Sequence, residues 1–208
     1  MQNFWESSFK DKQVMWGFNP SESAVLAAES FKINGLKEVL IPGCGYGRNA
    51  KPFLNNHANV TGIEVSRTAI DIAKKHFGNK LHIYEGNVNE MPFDEQLYDG
   101  IFCYALIHLL NENDRRQLID RCYDQLSAGG LMIFVAISTN DDKFGEGKKL
   151  SENRFLTKHG VELFFYDQDV VHTEFGKHNL IEAKEVKEPA QAKKSHTYWY
   201  IKCQKKAL

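Results

Sequence analysis

The sequence holds no CxxC pair, no HxxxH pair and no apolar run near the roughly 18 residues that a membrane helix needs. Its four cysteines, Cys44, Cys103, Cys122 and Cys203, are dispersed. That argues against a disulfide framework or a zinc knuckle and suits a reducing cytosol. The eight histidines show no ligand spacing, so no metal site is expected. Charge of one sign is also lacking: the formal net charge is −1 over 208 residues. Nothing there draws the chain toward nucleic acid or an anionic membrane. Lys148-Lys149, Lys193-Lys194 and Lys205-Lys206 are short pairs that read as solvated surface. Repeats, low-complexity tracts and Pro/Gly-rich linkers are absent, and the opening MQNFWESSFKDK has no continuous apolar stretch of a signal peptide. The expectation is one cytoplasmic domain over 1–208, with an N-terminal helical and aromatic segment over 1–35 and an α/β core over 36–208. Oligomeric state is not readable.

What is present is a regular alternation. Apolar runs at Glu38–Ile41, Val60–Glu64, Leu81–Tyr84, Asp99–Tyr104 and Leu131–Ile137 are short and nearly continuous. Helix-like segments lie between them at about 47–57, 66–77 and 111–126. Strands buried on both faces and joined by helices imply a doubly wound, mostly parallel α/β sheet. Asn111 is placed to cap the third of these helices, with Asp114 at N3. An earlier helix is expected to start at Asn19-Pro20-Ser21-Glu22, with Asn19 as cap and Pro20 at N1. Ser138–Asn153 reads as a long polar loop, Val161–Tyr166 as a short strand and 168–178 as a helix. Leu180–Val186 and Thr197–Cys203 alternate with period two around a turn containing Pro189, which predicts an antiparallel hairpin at a sheet edge.

The sharpest local signal is Ile41-Pro42-Gly43-Cys44-Gly45-Tyr46-Gly47-Arg48, a strand running into Gly-x-Gly-x-Gly and a helix. Glycine is needed where the backbone turns tightly or where a ligand meets the main chain without a Cβ. Glu64 ends the second strand, and in a doubly wound sheet it lies beside this loop, at the carboxyl edge where ligands bind. A carboxylate there suits a ribose diol. A dinucleotide fingerprint would place its third glycine at position 48. Arg48 stands there instead, with Gly47 one residue early, which weakens a reading as an NAD(P)-binding oxidoreductase.

With these residues in place, the chain over about 36–137 resembles the class I S-adenosylmethionine-dependent methyltransferases. Gly43-Cys44-Gly45-Tyr46-Gly47 looks like their first motif, and Glu64, with Val65 beside it, like their ribose-binding acid. Gly86-Asn87-Val88 stands where they usually show Gly-Asp, contacting adenine. Asp99–Tyr104 looks like their fourth motif, and Leu126–Leu131 like the turn into the fifth strand. The resemblance implies S-adenosyl-L-methionine as cofactor and a seven-stranded, Rossmann-like sheet with a C-terminal antiparallel hairpin. Two departures stand out. Pro42 replaces a commonly acidic residue, and Asn87 replaces an aspartate, although its side-chain carbonyl still accepts hydrogen bonds. The opening from Phe4-Trp5-Glu6 to Met15-Trp16-Gly17-Phe18 is similar to the thiopurine- and tellurite-resistance-type enzymes, whose aromatic N-terminal segment folds over the cofactor. That resemblance implies a cofactor contact for Trp16.

For the acceptor side, Tyr104 and His108 follow the fourth strand, with His108 a candidate general base and Tyr104 a pocket wall that also faces the cofactor. Phe144 and Arg154 belong to a segment that follows the fifth strand and is expected to close over substrate, Arg154 being suited to clamp an anion. Phe18 is a further candidate for substrate contact. The stretch after the fourth strand lacks the Asn/Asp-Pro-Pro-aromatic motif of DNA and amide N-methyltransferases, which argues against base flipping. A small-molecule acceptor is the expectation. A non-catalytic cofactor-binding module and the NAD(P) oxidoreductase are the alternatives.

Overall fold

A computed structural model describes residues 2–189 and 195–207. Lys193-Lys194 lies outside the described residues. Two helices, α1 (Gln2–Lys12) and α2 (Glu22–Ile33), precede an alternation of β1 (Glu38–Pro42), α3 (Lys51–Asn55), β2 (Asn59–Glu64), α4 (Arg67–Phe77), β3 (Leu81–Glu85), β4 (Tyr98–Tyr104), α5 (Glu112–Asp124) and β5 (Leu126–Ile137). A small excursion, β6 (Lys148–Lys149), β7 (Arg154–Leu156) and β8 (Glu162–Phe164), follows. The chain then forms α6 (Gln168–Phe175) and the long hairpin of β9 (Leu180–Pro189) and β10 (Ser195–Gln204).

The main sheet has seven strands in the order β3-β2-β1-β4-β5-β10-β9. β1 pairs in parallel with β2 and β4, and β4 with β5, while β10 runs antiparallel to both β5 and β9. The order reverses between β1 and β4, so the carboxyl ends of these strands border the crevice that such sheets use for ligands. One apolar layer packs α5 and α6 residues against Ile101, Met132, Phe134 and Ile201. The other packs α2 and α3 against Val39, Ile41, Phe102, Ile133 and Tyr200. Alternation along β4, β5 and β10 feeds both layers, as strands covered on both faces require. Among the described residues, no helix is long and apolar enough to cross a membrane.

Several boundaries differ from the sequence reading. Leu126–Leu131, expected as the turn into the fifth strand, already belongs to β5, and Pro189, expected in the hairpin turn, ends β9 opposite Ser195. The helix expected over 47–57 begins at Lys51, because Gly47 sits at φ +83 and cannot continue a right-handed helix. The N-cap of α2 is Ser21, not Asn19: its hydroxyl accepts from the Ala24 N–H at 3.1 Å, and the helix starts at Glu22. The side-chain oxygen of Asn49 holds the Ser21 N–H at 2.9 Å, and the Asn19 carbonyl accepts from Arg48 at 3.3 Å. Tertiary partners therefore shift the start by two residues. α5 is capped by Asn111, which accepts from the Asp114 N–H at 2.9 Å.

Candidate active site

The glycine loop leaves β1 with Gly43, Gly45 and Gly47 all in the left-handed region, at φ +66, +56 and +83. A Cβ on Gly43 would lie 2.9 Å from Leu106, and one on Gly47 would lie 2.7 Å from Leu81. Those two glycines are fixed by the protein's own packing. Gly45 is different, since its missing Cβ would face only Phe9 of α1, at 3.7 Å. Its side of the loop is the one a ligand can approach. The Gly43 and Cys44 N–H groups donate to the Ile63 carbonyl at 2.8 and 3.1 Å, which seats the loop on β2. Cys44 is buried, and burial pushes its thiol well up, so it acts as an inert wall.

Glu64 closes the arrangement. It is buried at the end of β2, with one carboxylate oxygen accepting from the Gly45 N–H at 2.8 Å and the other from the Ser66 N–H at 2.8 Å. Burial raises its pKa, and the Ser66 and Gly45 N–H groups work against that rise. Each oxygen keeps a further lone pair, so the carboxylate is aimed and still able to accept. Val65, half-buried, and Ser66, the N-cap of α4, continue the same edge. One strand further out, Asn87 is exposed, and its side-chain carbonyl accepts from the Asn89 N–H at 3.0 Å beside the buried Val88. The structure therefore brings Gly43, Cys44, Gly45, Gly47, Glu64, Val65, Asn87 and Val88 onto one edge. These residues fit an adenosyl ligand: a Cβ-free cradle, a buried carboxylate for the sugar, and an amide carbonyl with an adjacent N–H for the base.

The aromatic N-terminus covers the cradle. Phe9, Trp16 and Phe18 surround Tyr46 at ring separations of 5.9, 6.2 and 5.6 Å. The Tyr46 hydroxyl accepts from the Trp16 N–H at 3.0 Å and donates to the Gly17 carbonyl at 2.9 Å. Glu6 accepts from the Ser66 hydroxyl at 2.7 Å and from the Thr68 N–H at 3.2 Å, which ties α1 to the first turn of α4. Phe18 also stacks on His76 at 3.8 Å.

The acceptor-side candidates separate. Tyr104 ends β4 at the carboxyl edge, largely buried, and burial pushes its hydroxyl up to about 12. Ala105 follows at φ +54, an unusual conformation for alanine that turns the chain sharply off the edge. His108 lies beneath that turn. Its Nδ1 accepts from the Ile137 N–H at 3.2 Å, and burial lowers its pKa to about 3. It is placed as a neutral strut. Arg154 donates to the Leu110 carbonyl, pairs with Glu162 at 3.3 Å and lies over the Phe164 ring at 5.6 Å. Its guanidinium is occupied there and does not reach toward the loop as an anion clamp would. Phe144 packs edge-on against Phe155 and Phe165 at 5.3 and 5.4 Å, in a satellite cluster.

Sequence reading missed what stands beside Tyr104. Arg48 is half-buried, with its guanidinium 5.7 Å from the Tyr104 ring centre and 6.0 Å from that of Trp16. Tyr198 of β10 lies 5.9 Å from Tyr104. Glu188, at the end of β9, is buried and accepts from the Glu22 and Ser23 N–H groups at 3.0 and 2.7 Å. Only the pairing of the last hairpin with β5 brings Tyr198 and Glu188 to this edge, and no local motif marks them. A cavity of about 370 Å³ bounded by Asn140, Asp142, Glu185, Lys187, Ser195 and Thr197 opens on the hairpin itself.

Residues 39–130 match a family model described as a methyltransferase domain. The tRNA N(3)-methylcytidine methyltransferase Mettl2 of Drosophila melanogaster is 25% identical over 188 residues, covering 80% of this chain and 57% of that protein. The chain thus spans about half the length of the curated relatives it matches. Among solved structures, the 1,6-didemethyltoxoflavin-N1-methyltransferase of Burkholderia thailandensis superposes with a TM-score of 0.74 at 15% identity, covering 99% of this chain and 87% of that one. TehB of Haemophilus influenzae superposes with a TM-score of 0.67 at 15% identity, covering 97% and 67%. Residues 39–130 thus carry a methyltransferase domain, and the strand order and the superpositions give the chain the Rossmann-like fold of S-adenosylmethionine-dependent methyltransferases.

Proposed function

We propose that this chain transfers the methyl group of S-adenosyl-L-methionine to a small-molecule acceptor by in-line displacement. The observation that carries the reading is the buried Glu64 carboxylate, held by the Gly45 and Ser66 N–H groups at the mouth of the glycine loop. The cofactor supplies an electrophilic methyl group on a positively charged sulfur. The chain supplies the rest. Glu64 accepts from the ribose, Asn87 and the Val88 N–H address the adenine, and the loop around Gly45 lets main chain approach the methionine moiety. Tyr46, buried beneath Phe9 and Phe18, backs the loop with an aromatic wall, and the exposed Trp16 stacks on it. Holding an acceptor in line is worth on the order of 7–11 kcal/mol in such reactions. Pro42, which has neither N–H nor carboxylate, leaves the cofactor's ammonium to carbonyl acceptors.

A tRNA base is the second reading, raised by the Mettl2 relative. The formal net charge of −1 weighs against it, because a tRNA-binding surface gains its affinity from clustered Lys and Arg. Titration calorimetry with S-adenosylhomocysteine and with NADH, followed by methyl transfer from labelled cofactor to a small-molecule panel and to bulk tRNA, tests the assignment. Micromolar S-adenosylhomocysteine binding with label in small molecules supports it. Label in tRNA alone moves the acceptor to nucleic acid, NADH binding alone overturns the cofactor, and cofactor binding without transfer leaves a binding module.

A further inference from the structure

We propose that His196, oriented by Asp141, is the general base of this site and that the acceptor is a protic aromatic compound, a phenol or a ring N–H. The proposal rests on the methyltransferase reading above. His196 sits at the start of β10, at the carboxyl edge of β5, two residues before Tyr198 and on the same side of the strand. Its Nδ1 lies 3.2 Å from one Asp141 carboxylate oxygen. Asp141 has no exposed side-chain surface, and it also accepts from the Thr197 N–H at 2.7 Å and the Lys143 N–H at 3.0 Å. A buried carboxylate so fixed holds the imidazole in the tautomer with the proton on Nδ1, leaving Nε2 basic. The His196 side chain is 22% exposed, so that nitrogen is reachable.

The surroundings select the acceptor. The rings of His196, Tyr198 and Tyr104 follow one another at 6.1 and 5.9 Å, and the Arg48 guanidinium lies over Tyr104. One Arg48 nitrogen donates to the Asn19 carbonyl at 3.3 Å, but among the described residues the guanidinium has no carboxylate at ion-pair distance, so its charge is left to face negative charge developing on an acceptor. Aromatic walls with one cation and one base suit a flat ring bearing an ionisable proton. In the step, an acceptor lone pair forms the new bond to the methyl carbon of the sulfonium donor. The carbon–sulfur bond breaks with its electron pair passing to sulfur, and the acceptor's proton passes to Nε2. The resulting imidazolium is paired with Asp141. His108 cannot take this part, since it is buried under the sheet edge and its Nδ1 is already an acceptor for Ile137.

Two measurements on the full chain test this. Long-range nitrogen–proton NMR reads the tautomer of His196. The groups facing it are Asp141 and Lys143 on the loop after β5, His108 after β4, Tyr198 on its own strand and Glu188 across the hairpin. The expected result is a proton on Nδ1 in the neutral ring of the wild type, and loss of that tautomer preference in Asp141→Asn. The opposite tautomer, or no change in that variant, overturns the dyad. Methyl transfer is then followed with phenol, which keeps its proton at neutral pH, and with thiophenol at a pH where the thiol is already ionised. His196→Gln is expected to lower phenol methylation about 100-fold or more, to remove the acid-side limb of its pH profile and to leave thiophenol methylation nearly unchanged. Equal loss on both probes shows a merely structural role, and absence of phenol methylation by the wild type overturns the acceptor class. S-adenosylhomocysteine calorimetry separates the two readings: no binding to the wild type sinks the methyltransferase reading, whereas intact binding with either negative result sinks only this proposal.

Discussion

Glu64→Gln is the most decisive single perturbation of the cofactor half, because it keeps volume and removes only charge and one acceptor. Both carboxylate oxygens are in use, at 2.8 Å from the Gly45 N–H and 2.8 Å from the Ser66 N–H. Whichever way the amide turns, its NH₂ meets one of these donors, so one buried N–H is left facing another. The ribose meets the same defect. A hydrogen bond to a charged group contributes about 1.5–3 kcal/mol, and at about 1.4 kcal/mol per tenfold the variant should bind S-adenosylhomocysteine some 12- to 140-fold more weakly. Calorimetry at pH 8 measures this, with a thermal melt to show that the domain still folds. Affinity within about twofold of wild type in a folded variant would refute the ribose assignment. A second readout follows from burial, which raises the Glu64 pKa in the free protein. A carboxyl with a raised folded pKa contributes stability that is full below its unfolded value and lost as pH rises through the folded one. Ribose hydroxyls donate to the ionised form, so binding should release a proton at mildly acid pH and weaken as pH falls through that range. The buffer dependence of the binding heat checks the sign.

Other outcomes follow from particular contacts. Gly47→Ala should cost about 1–2 kcal/mol for its backbone at φ +83, and a further ~1–3 kcal/mol for the Cβ driven against Leu81 and Phe77. Gly129→Ala, at φ +80 in open space, should cost the backbone part alone; urea unfolding that ranks the two equally would contradict the packing argument. Arg115 and Glu174 form an ion pair at 2.8 Å with both side chains 4% exposed, and the Tyr166 hydroxyl donates to the same carboxylate at 2.8 Å. Arg115→Met should therefore lose about 3–5 kcal/mol, and the double change Arg115→Met/Glu174→Leu should recover most of it. The Glu6 pKa is lowered to about 2 by hydrogen bonds from Ser66 and Thr68, so its hold on α4 is complete above its ordinary 4.5 and lost as pH falls through about 2. Trp5 and Trp16 fluorescence should report α1 loosening in that window, and a flat signal there counts against the latch. Removal of residues 1–18 should abolish methyl transfer and leave a folded core, a result that full activity in the truncated protein would contradict.

The cofactor half was legible because its signals are local. Three glycines at positive φ, a carboxylate at a strand end and Asn87 after the next strand all fall within 43–88, and the glycines are dictated by backbone geometry that few other residue types satisfy. The alternation of strands and helices, and with it the doubly wound sheet, followed from hydrophobic periodicity. The acceptor half was not legible in this way. His108 stands in a loop position that suits a base, but the Ile137 N–H and the overlying sheet edge neutralise it. Arg154 is cationic and near the right segment, yet the Leu110 carbonyl and Glu162 claim it. Arg48 was noted only as a departure from a dinucleotide pattern. His196, Tyr198 and Glu188 reach the site through β-pairing across the whole chain, and pairing partners leave no mark at the positions themselves. The misplaced cap of α2 has the same origin, since Asn49 and Glu188 secure its first turn from outside.

The contact of Glu188 with the amides of Glu22 and Ser23 spans up to 166 positions of sequence. A ribosome that has released residues 1–178 has already made Gly45, Glu64 and Asn87, while the opening turn of the second helix still lacks its carboxylate. The two halves of the crevice therefore mature at different times. Loop-closure entropy makes such a long-range clasp a late and slow event. The end of the chain therefore clasps its beginning last, after the glycine loop is already seated on β2.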